Sequence, residues 1–246
     1  MLYVVSDVHG HRDDLVAGLR EAGLVDDNEK WCGDDAELWF LGDFLDRGPD
    51  GVGVLELVMS LQKQAPDRVH ALMGNHEILA LGMHRFPDSR FAQSWVINGG
   101  SSKDQDALNG EHLSWLRKLP AVGRSGPFLL MHSDIADYLA WGLSIDEVNA
   151  SVLLELESEE LDVYWDMWAR LTGRYHFAGP HGAAVAREML EILGGECIVH
   201  GHSIIGSLTG VPSEDVTEPI LYADGLVLAV DGGRYDGGPL LVVQLQ

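Results

Sequence analysis

Positive charge is scarce in this chain: 16 lysines and arginines stand against 39 aspartates and glutamates, a formal net charge of -23 over 246 residues. Such a chain repels a nucleic-acid backbone unless a local basic groove compensates, and its few cations are scattered rather than clustered. No nucleic-acid partner is expected, and the acid excess reads as solubility or adaptation to salt. Long apolar runs are also missing. Nothing approaches the roughly 18 consecutive apolar residues of a membrane span, and the opening MLYVVSDVHG has no basic stretch leading into an apolar one. The expectation is a cytoplasmic protein that does not engage a membrane. Cysteine is nearly absent. Cys32 and Cys197 lie far apart and form no paired metal motif, so two buried reduced thiols are expected rather than a disulfide. With no internal repeat, low-complexity linker or compositional break, residues 1–246 are expected to form one domain.

What the chain does have is apolar content, 46% of its residues, enough to fill a substantial core. It comes in short β-rich runs that end in small or polar residues: LYVVSD at 2–7, ELWFLGD at 37–43, RVHALMGN at 68–75, FLLMHSD at 128–134 and CIVHGH at 197–202. Helical patterns lie between them, about Arg12 to Glu21, Val52 to Gln64, Glu77 to Gly82, and Ala183 to Leu193 before a glycine pair. This alternation predicts an α/β class. PILYADG, LVLAVDGG and PLLVVQLQ read as close-spaced strands joined by glycine-rich turns, which predicts an antiparallel meander and hence a mixed sheet. The stretch from Ser144 to Gly173 is mostly helical in pattern, and its acidic run ELESEELD reads as a solvated helix face.

The chemistry-bearing residues sit at the strand ends. Asp7 and His9, two apart, project to the same side, and a carboxylate with an imidazole suits a borderline divalent ion. In GDFLDRGPD, Asp43 is a second strand-end carboxylate, and its two oxygens can bridge cations held roughly 3.5 to 4 Å apart. Arg47 offers a planar fork for two phosphate oxygens, while Asp46 either orients an imidazole or closes the loop as an ion pair with Arg47. In GNHE, Asn75 can lend a neutral carbonyl oxygen to a metal, leaving His76 for proton transfer to a leaving alkoxide. Glu77 reads as structural, at a helix start. His132 and His202 end two further strands. Taken singly, each is a hydrogen-bonded core histidine; five successive strand ends carrying Asp/His, Asp, Asn/His, His and His are not five coincidences.

The ordered set DVHG, GDFLDRG, GNHE, a strand-end histidine and GHS resembles the calcineurin-like metallophosphoesterase superfamily, most closely its phosphoprotein phosphatase branch in a bacterial-type form. The resemblance implies two mixed β-sheets packed face to face and flanked by helices. It implies one cation on Asp7, His9 and Asp43, and a second on Asp43, Asn75, His132 and His202, with His200 behind them. Manganese is the first expectation; iron, zinc, nickel or cobalt suit the same donors. His76 with Asp46 becomes the proton donor and its orienting partner, Arg47 a phosphate clamp, and Arg174, in preference to Arg170, a second clamp. The implied activity is hydrolysis of phosphate esters by a hydroxide activated between two metals, on a phosphorylated protein in the serine/threonine manner or on a small phosphate monoester. Met73 stands where the eukaryotic protein phosphatases carry arginine, which argues for the bacterial type. Two alternatives share these motifs. One is a diadenosine tetraphosphate hydrolase, for which Trp141, Trp165 and Trp168 could line a base pocket; the other is a catalytically silent metal-binding scaffold. The segment at about 135–197 is the expected cap that sets substrate choice.

Overall fold

The computed structural model describes residues 1–245. The first third alternates strand and helix: β1 (Leu2–Val5), α1 (Arg12–Glu21), β2 (Glu37–Phe40), α2 (Gly51–Gln64), β3 (Val69–Ala71) and α3 (Asn75–Arg85). In α1, Leu15, Val16 and Leu19 share the buried face, with Asp13 and Asp14 in the first turn and Arg20 in the last to complement the helix dipole. Three short helices follow: α4 (Arg90–Ile97), α5 (Ser102–Ala107) and α6 (Gly110–Leu116). Each begins at a polar cap, Ser89, Ser101 or Asn109, whose side chain accepts a backbone N–H of the first turn.

Next come β4 (Val122–Ser125), β5 (Phe128–Met131), α7 (Ile145–Glu157), α8 (Leu161–Leu171), α9 (Gly182–Leu193) and β6 (Cys197–His200). Helix α9 buries Ala186, Met189, Leu190 and Leu193, a helical period, and stops at Gly194 with φ of 85°. The chain closes with α10 (Ile205–Thr209), β7 (Ile220–Tyr222), β8 (Val227–Ala229) and β9 (Val242–Leu245).

Two mixed sheets result, ordered β3-β2-β1-β9 and β4-β5-β6-β8-β7. A buried cluster of Val4, Trp39, Leu41, Leu130, Val199, Val243 and Leu245 draws on both, so the sheets meet face to face. The alternate residues Tyr3, Val5, Leu38 and Phe40 point the other way, into the larger core under the helices. The α/β architecture implied by the motif resemblance is therefore the one present, and the five strand-end segments lie within or beside their expected strands.

The sequence expectations need three corrections. The C-terminal strands are not a meander: β7 and β8 pair antiparallel, but β9 crosses to the other sheet and pairs antiparallel with β1. The acidic run is not one helix face, because α7 ends at Glu157 and α8 begins at Leu161, with the acids spread across the break; Glu155 accepts the Trp141 indole N–H at 2.9 Å. The thiols are reduced but not buried, Cys32 being exposed and Cys197 half-buried.

Candidate metal centre and active site

The loops leaving β1 and β2 run side by side. The N–H groups of Asp7, His9 and Gly10 donate to the carbonyls of Gly42, Asp43 and Phe44, holding DVHG against GDF. The other sheet joins them where the His202 N–H donates to Asp7 Oδ2 at 2.8 Å, a link between residues of β1 and β6 loops. Asp7, His9, Asp43, Asp46, Arg47 and His202 all have φ between 43° and 67°, in the left-handed region. Each such non-glycine residue costs of order 1 to 3 kcal/mol, so the surrounding bonds hold strain concentrated at this spot. Close approach requires glycine at two points. A Cβ on Gly201 would strike Ser6 and Asp7, and one on Gly74 would strike the Asp43 carboxylate.

Asp7, Asp43, His132 and His202 converge into one group, and His9, Asp43 and His76 into another, with Asp43 common to both. All are buried, as is Asn75. Asp7 lies between the two implied sets, grouped with His132 and His202 but with Oδ1 also 3.9 Å from His9 Nε2, while His76 comes close to His9 and Asp43.

The donor atoms can be assigned from hydrogen bonds. His9 Nδ1 donates to the Leu45 carbonyl at 2.9 Å and His132 Nδ1 to the Leu41 carbonyl at 2.8 Å, because a carbonyl can only accept. Their Nε2 atoms therefore carry lone pairs. His132 Nε2 faces Asn75 Oδ1 at 3.0 Å and Asp43 Oδ1 at 3.4 Å, while His9 Nε2 faces Asp43 Oδ2 at 3.4 Å. His202 donates Nε2–H to the Thr172 carbonyl at 3.2 Å, which leaves Nδ1 free. At His132 Nε2, acceptors turned on acceptors in a dry pocket repel unless a cation lies among them, and at His9 Nε2 only an Arg47 N–H intervenes, so the residues present fit divalent metal ions. His200 does not join them: Nδ1 donates to the Gly201 carbonyl at 2.8 Å and Nε2 accepts the Tyr222 hydroxyl at 2.8 Å, using both nitrogens.

The electrostatics point the same way. Burial, reinforced by Asp7 alongside, pushes Asp43 well above the ordinary carboxylate range. Burial also opposes ionisation of Asp7, but His132 and His9, the His202 N–H and the Ser6 hydroxyl hold it below its usual value. Burial drives His9, His76 and His202 well below the ordinary imidazole value, with Arg47 adding to the effect at His9 and His76, so their lone pairs stay available.

His76 is set apart by its partners. Its backbone N–H donates to Asp43 Oδ1 at 3.0 Å, and Nδ1 donates to Asp46 Oδ2 at 2.7 Å. Its Nε2 is buried with no hydrogen-bond partner among the described residues, as befits an atom that serves a ligand. The other oxygen of Asp46 accepts the Trp95 indole N–H at 3.2 Å and the Ser101 N–H at 2.9 Å. Burial lifts Asp46 to about 6, against the pull of those two donors and of Arg47. No hydrogen bond joins Asp46 to Arg47 among the described residues. Arg47 instead donates Nε–H to the Asn98 carbonyl at 3.2 Å and an Nη1 proton to His9 Nε2 at 3.1 Å. Arg174 bonds the His202 carbonyl beside the candidate ligand cluster, whereas Arg170 lies over the Trp141 ring, 5.7 Å from its centroid. Glu77, fully buried, accepts the N–H groups of Asp43, Phe44 and Gly74 at 2.8 to 2.9 Å, clasping GNHE to GDF. Burial and neighbouring Asp43 raise its carboxyl to about 8.

Several residues at the site carry no motif. Trp95 and Ser101 come from the α4–α5 region, and Asp104, which accepts the N–H groups of Asp46 at 3.1 Å and Gly51 at 3.0 Å, looks in sequence like any surface acid. Asp231 is buried with Oδ2 unpartnered, and burial and Asp7 push it well above the usual range. Its segment LVLAVDGG has the same strand-then-acid signature as ELWFLGD. Tyr235 lies with its ring 4.0 Å from the Arg47 guanidinium and edge-on to His9. Of the tryptophans considered for a base pocket, Trp141 and Trp168 are buried, and Trp165 packs on Phe91 beneath Arg90.

Known proteins agree with this geometry. The family model described as calcineurin-like phosphoesterase matches residues 1–206. Shewanella-like protein phosphatase 1 of Plasmodium berghei is 27% identical over 70% of this chain and 49% of its own length. A symmetrical bis(5'-nucleosyl)-tetraphosphatase of Legionella pneumophila is 33% identical over 70% of this chain and 56% of its own. The chain thus spans about half the length of these curated relatives. Among solved structures, a cold-active protein-tyrosine phosphatase of a psychrophilic Shewanella superposes with a TM-score of 0.74 at 24% identity, over 97% of this chain and 72% of that one, a likeness of fold. Motifs, ligand geometry and family match converge, and the chain belongs to the calcineurin-like phosphoesterase family.

Proposed function

We propose that this protein is a metal-dependent phosphoric ester hydrolase acting on phosphomonoesters, with a phosphorylated protein in the serine/threonine manner as its first substrate class. The observation that carries the reading is the buried meeting of His9 Nε2, His132 Nε2, Asn75 Oδ1 and both oxygens of Asp43, all acceptors, beside a His76 whose Nε2 is unpartnered. Asp7, His9, Asp43, Asn75, His132 and His202 are the residues that would hold two divalent cations, with manganese the first to try and iron, zinc, nickel or cobalt suited to the same oxygen and imidazole donors. Bound there, the cations would supply Lewis acidity and a water of lowered pKa. Arg47 and Arg174 would receive the equatorial phosphate oxygens. His76, kept neutral by burial with Nδ1–H on Asp46, would take a proton on Nε2 as the anionic phosphate enters, with Asp46 supporting the added charge, and would pass that proton to the departing alkoxide.

Residues 1–245 act as one domain in this reading, in a cytoplasmic setting. The 135–197 segment serves as a cap, because its α8 end reaches the site: the Leu171 carbonyl accepts from Ser133 and the Thr172 carbonyl from His202. A dinucleoside polyphosphate is the second substrate reading, supported by the Legionella relative but given no base pocket by the buried Trp141 and Trp168.

Hydrolysis of p-nitrophenyl phosphate, a phosphoserine peptide and diadenosine tetraphosphate by manganese-loaded protein, alongside Asp43→Asn and His76→Asn, tests the proposal. Turnover of the peptide that collapses in Asp43→Asn supports it. Silence on all three substrates with both metals bound would favour the inert scaffold.

A further inference from the structure

Tyr235 lies beyond the stretch matched by the family model, on a single 3-10 turn (Arg234–Asp236) near the C-terminus. Its ring nonetheless covers the Arg47 guanidinium at 4.0 Å and meets the His9 ring edge-on at 5.4 Å. The turn is fastened on several sides. Gly233 and Gly237 flank it with φ of 77° and 90°, and the Gly233 N–H donates to Asp231 Oδ1 at 2.8 Å. The Ser213 hydroxyl donates to Asp236 at 2.7 Å, and Arg234 Nε–H to Asp14 at 2.6 Å. A ring so anchored costs little further entropy to hold in place, and about a third of its surface stays open to solvent at the mouth of the site.

Arg47 needs such a support. Its Nε–H is committed to the Asn98 carbonyl and an Nη1 proton to His9 Nε2, but that nitrogen is also one that would face a cation, so metal binding would release Nη1 and leave the fork held by Nε–H alone. A face-on aromatic ring attracts the guanidinium by its quadrupole and blocks one side, which fixes the plane of the fork.

We infer that Tyr235 is a positioning residue that acts through Arg47, holding the guanidinium in the plane in which it receives phosphate oxygens. The inference rests on the phosphoesterase reading of Arg47. It predicts that loss of the ring weakens phosphate binding, that loss of the hydroxyl alone does not, and that neither change matters once the guanidinium is gone.

Calorimetric titration of manganese-loaded protein with inorganic phosphate tests this without choosing a substrate. Tyr235→Leu should bind phosphate roughly ten-fold more weakly, the scale of a partly desolvated cation–π contact, and Tyr235→Phe within about two-fold of wild type. In an Arg47→Ala background, Tyr235→Leu should add nothing further. Wild-type affinity in Tyr235→Leu overturns the inference. So does an equal loss with and without Arg47, which would mean that the ring touches phosphate itself or that its removal loosens the fold. An Arg47→Ala protein with undiminished affinity overturns the clamp role itself, and the inference falls with it. Thermal melting of each variant accompanies the titrations.

Discussion

The bond from His76 to Asp46 makes a prediction that depends on the leaving group. His76 Nδ1 donates to Asp46 Oδ2 at 2.7 Å with both side chains almost wholly buried, and Asp46 Oδ1 is already held by Trp95 and Ser101. In Asp46→Asn the amide oxygen would keep those two donors, which turns the NH2 group toward His76. An N–H facing Nδ1 forces that nitrogen to accept and moves the imidazole proton to Nε2. The ring then presents a neutral N–H, a far weaker acid than the imidazolium that a carboxylate supports. General acid catalysis contributes about 10² to 10⁴ in rate, or roughly 3 to 5 kcal/mol of barrier at about 1.4 kcal/mol per tenfold. A phosphoserine peptide, whose alkoxide cannot leave unprotonated, should lose that factor in kcat. p-Nitrophenyl phosphate, whose phenolate leaves without a proton, should lose less than about tenfold. Steady-state kinetics on both substrates, at matched metal content and with melting curves recorded, checks the ratio. Equal losses on the two substrates would refute the acid role, because damage to the metal centre or the fold does not distinguish leaving groups.

Trp95→Phe removes one of the two donors to Asp46 Oδ1 and keeps the ring and the Ser101 donor, so kcat on the phosphoserine peptide should fall by about three- to tenfold, the net worth of one ordinary hydrogen bond, as steady-state kinetics would show. Glu77→Gln turns an amide donor toward backbone N–H groups, and urea unfolding at a pH above about 8, where the wild-type side chain is a carboxylate, should register a loss of about 2 to 4 kcal/mol. Asn149 of α7 accepts the N–H groups of Ala121 and Val122 at 2.9 and 3.0 Å and donates to the Val122 carbonyl at 2.9 Å, so Asn149→Leu strands three backbone groups at β4; the same unfolding assay should show about 2 to 4 kcal/mol. Manganese at a hundredfold excess over its dissociation constant should stabilise the native state by about 2.7 kcal/mol and raise the melting temperature, and Asp43→Asn should abolish most of that rise.

The parts legible in the sequence are those with a local cause. Apolar runs closed by Asp7, Asp43, Asn75, His132 and His202 mark strand ends, because a sheet edge delivers whatever residue follows the last paired position. Helix α1 falls on its expected residues because apolar period and terminal charges agree there. Strand partnership has no such local trace. PLLVVQLQ looks like the next strand of a meander, yet β9 buries Val243 and Leu245 better between the sheets, against β1. Trp95, Asp104 and Tyr235 are in the same position: each reaches the site from a segment whose own sequence serves local packing, and only the fold shows what it touches. Arg170 and Arg174, four apart in a degenerate motif, are separated only by their surroundings, one over Trp141 and the other on the His202 carbonyl.

The pairing of β1 with β9 joins Leu2 to Leu245, nearly the whole chain apart, and β1 is the strand that delivers Asp7 and His9. As the chain emerges during synthesis, β2 and β3 can align beside β1 early, but the outer edge of β1 stays without its partner until almost the last of these residues has left the ribosome. A bare strand edge is then an invitation to wrong pairing next to the residues that build the site. Closure of this seam waits for residues 242–245, so the strand that presents Asp7 and His9 is completed only after every other strand of its sheet has been made.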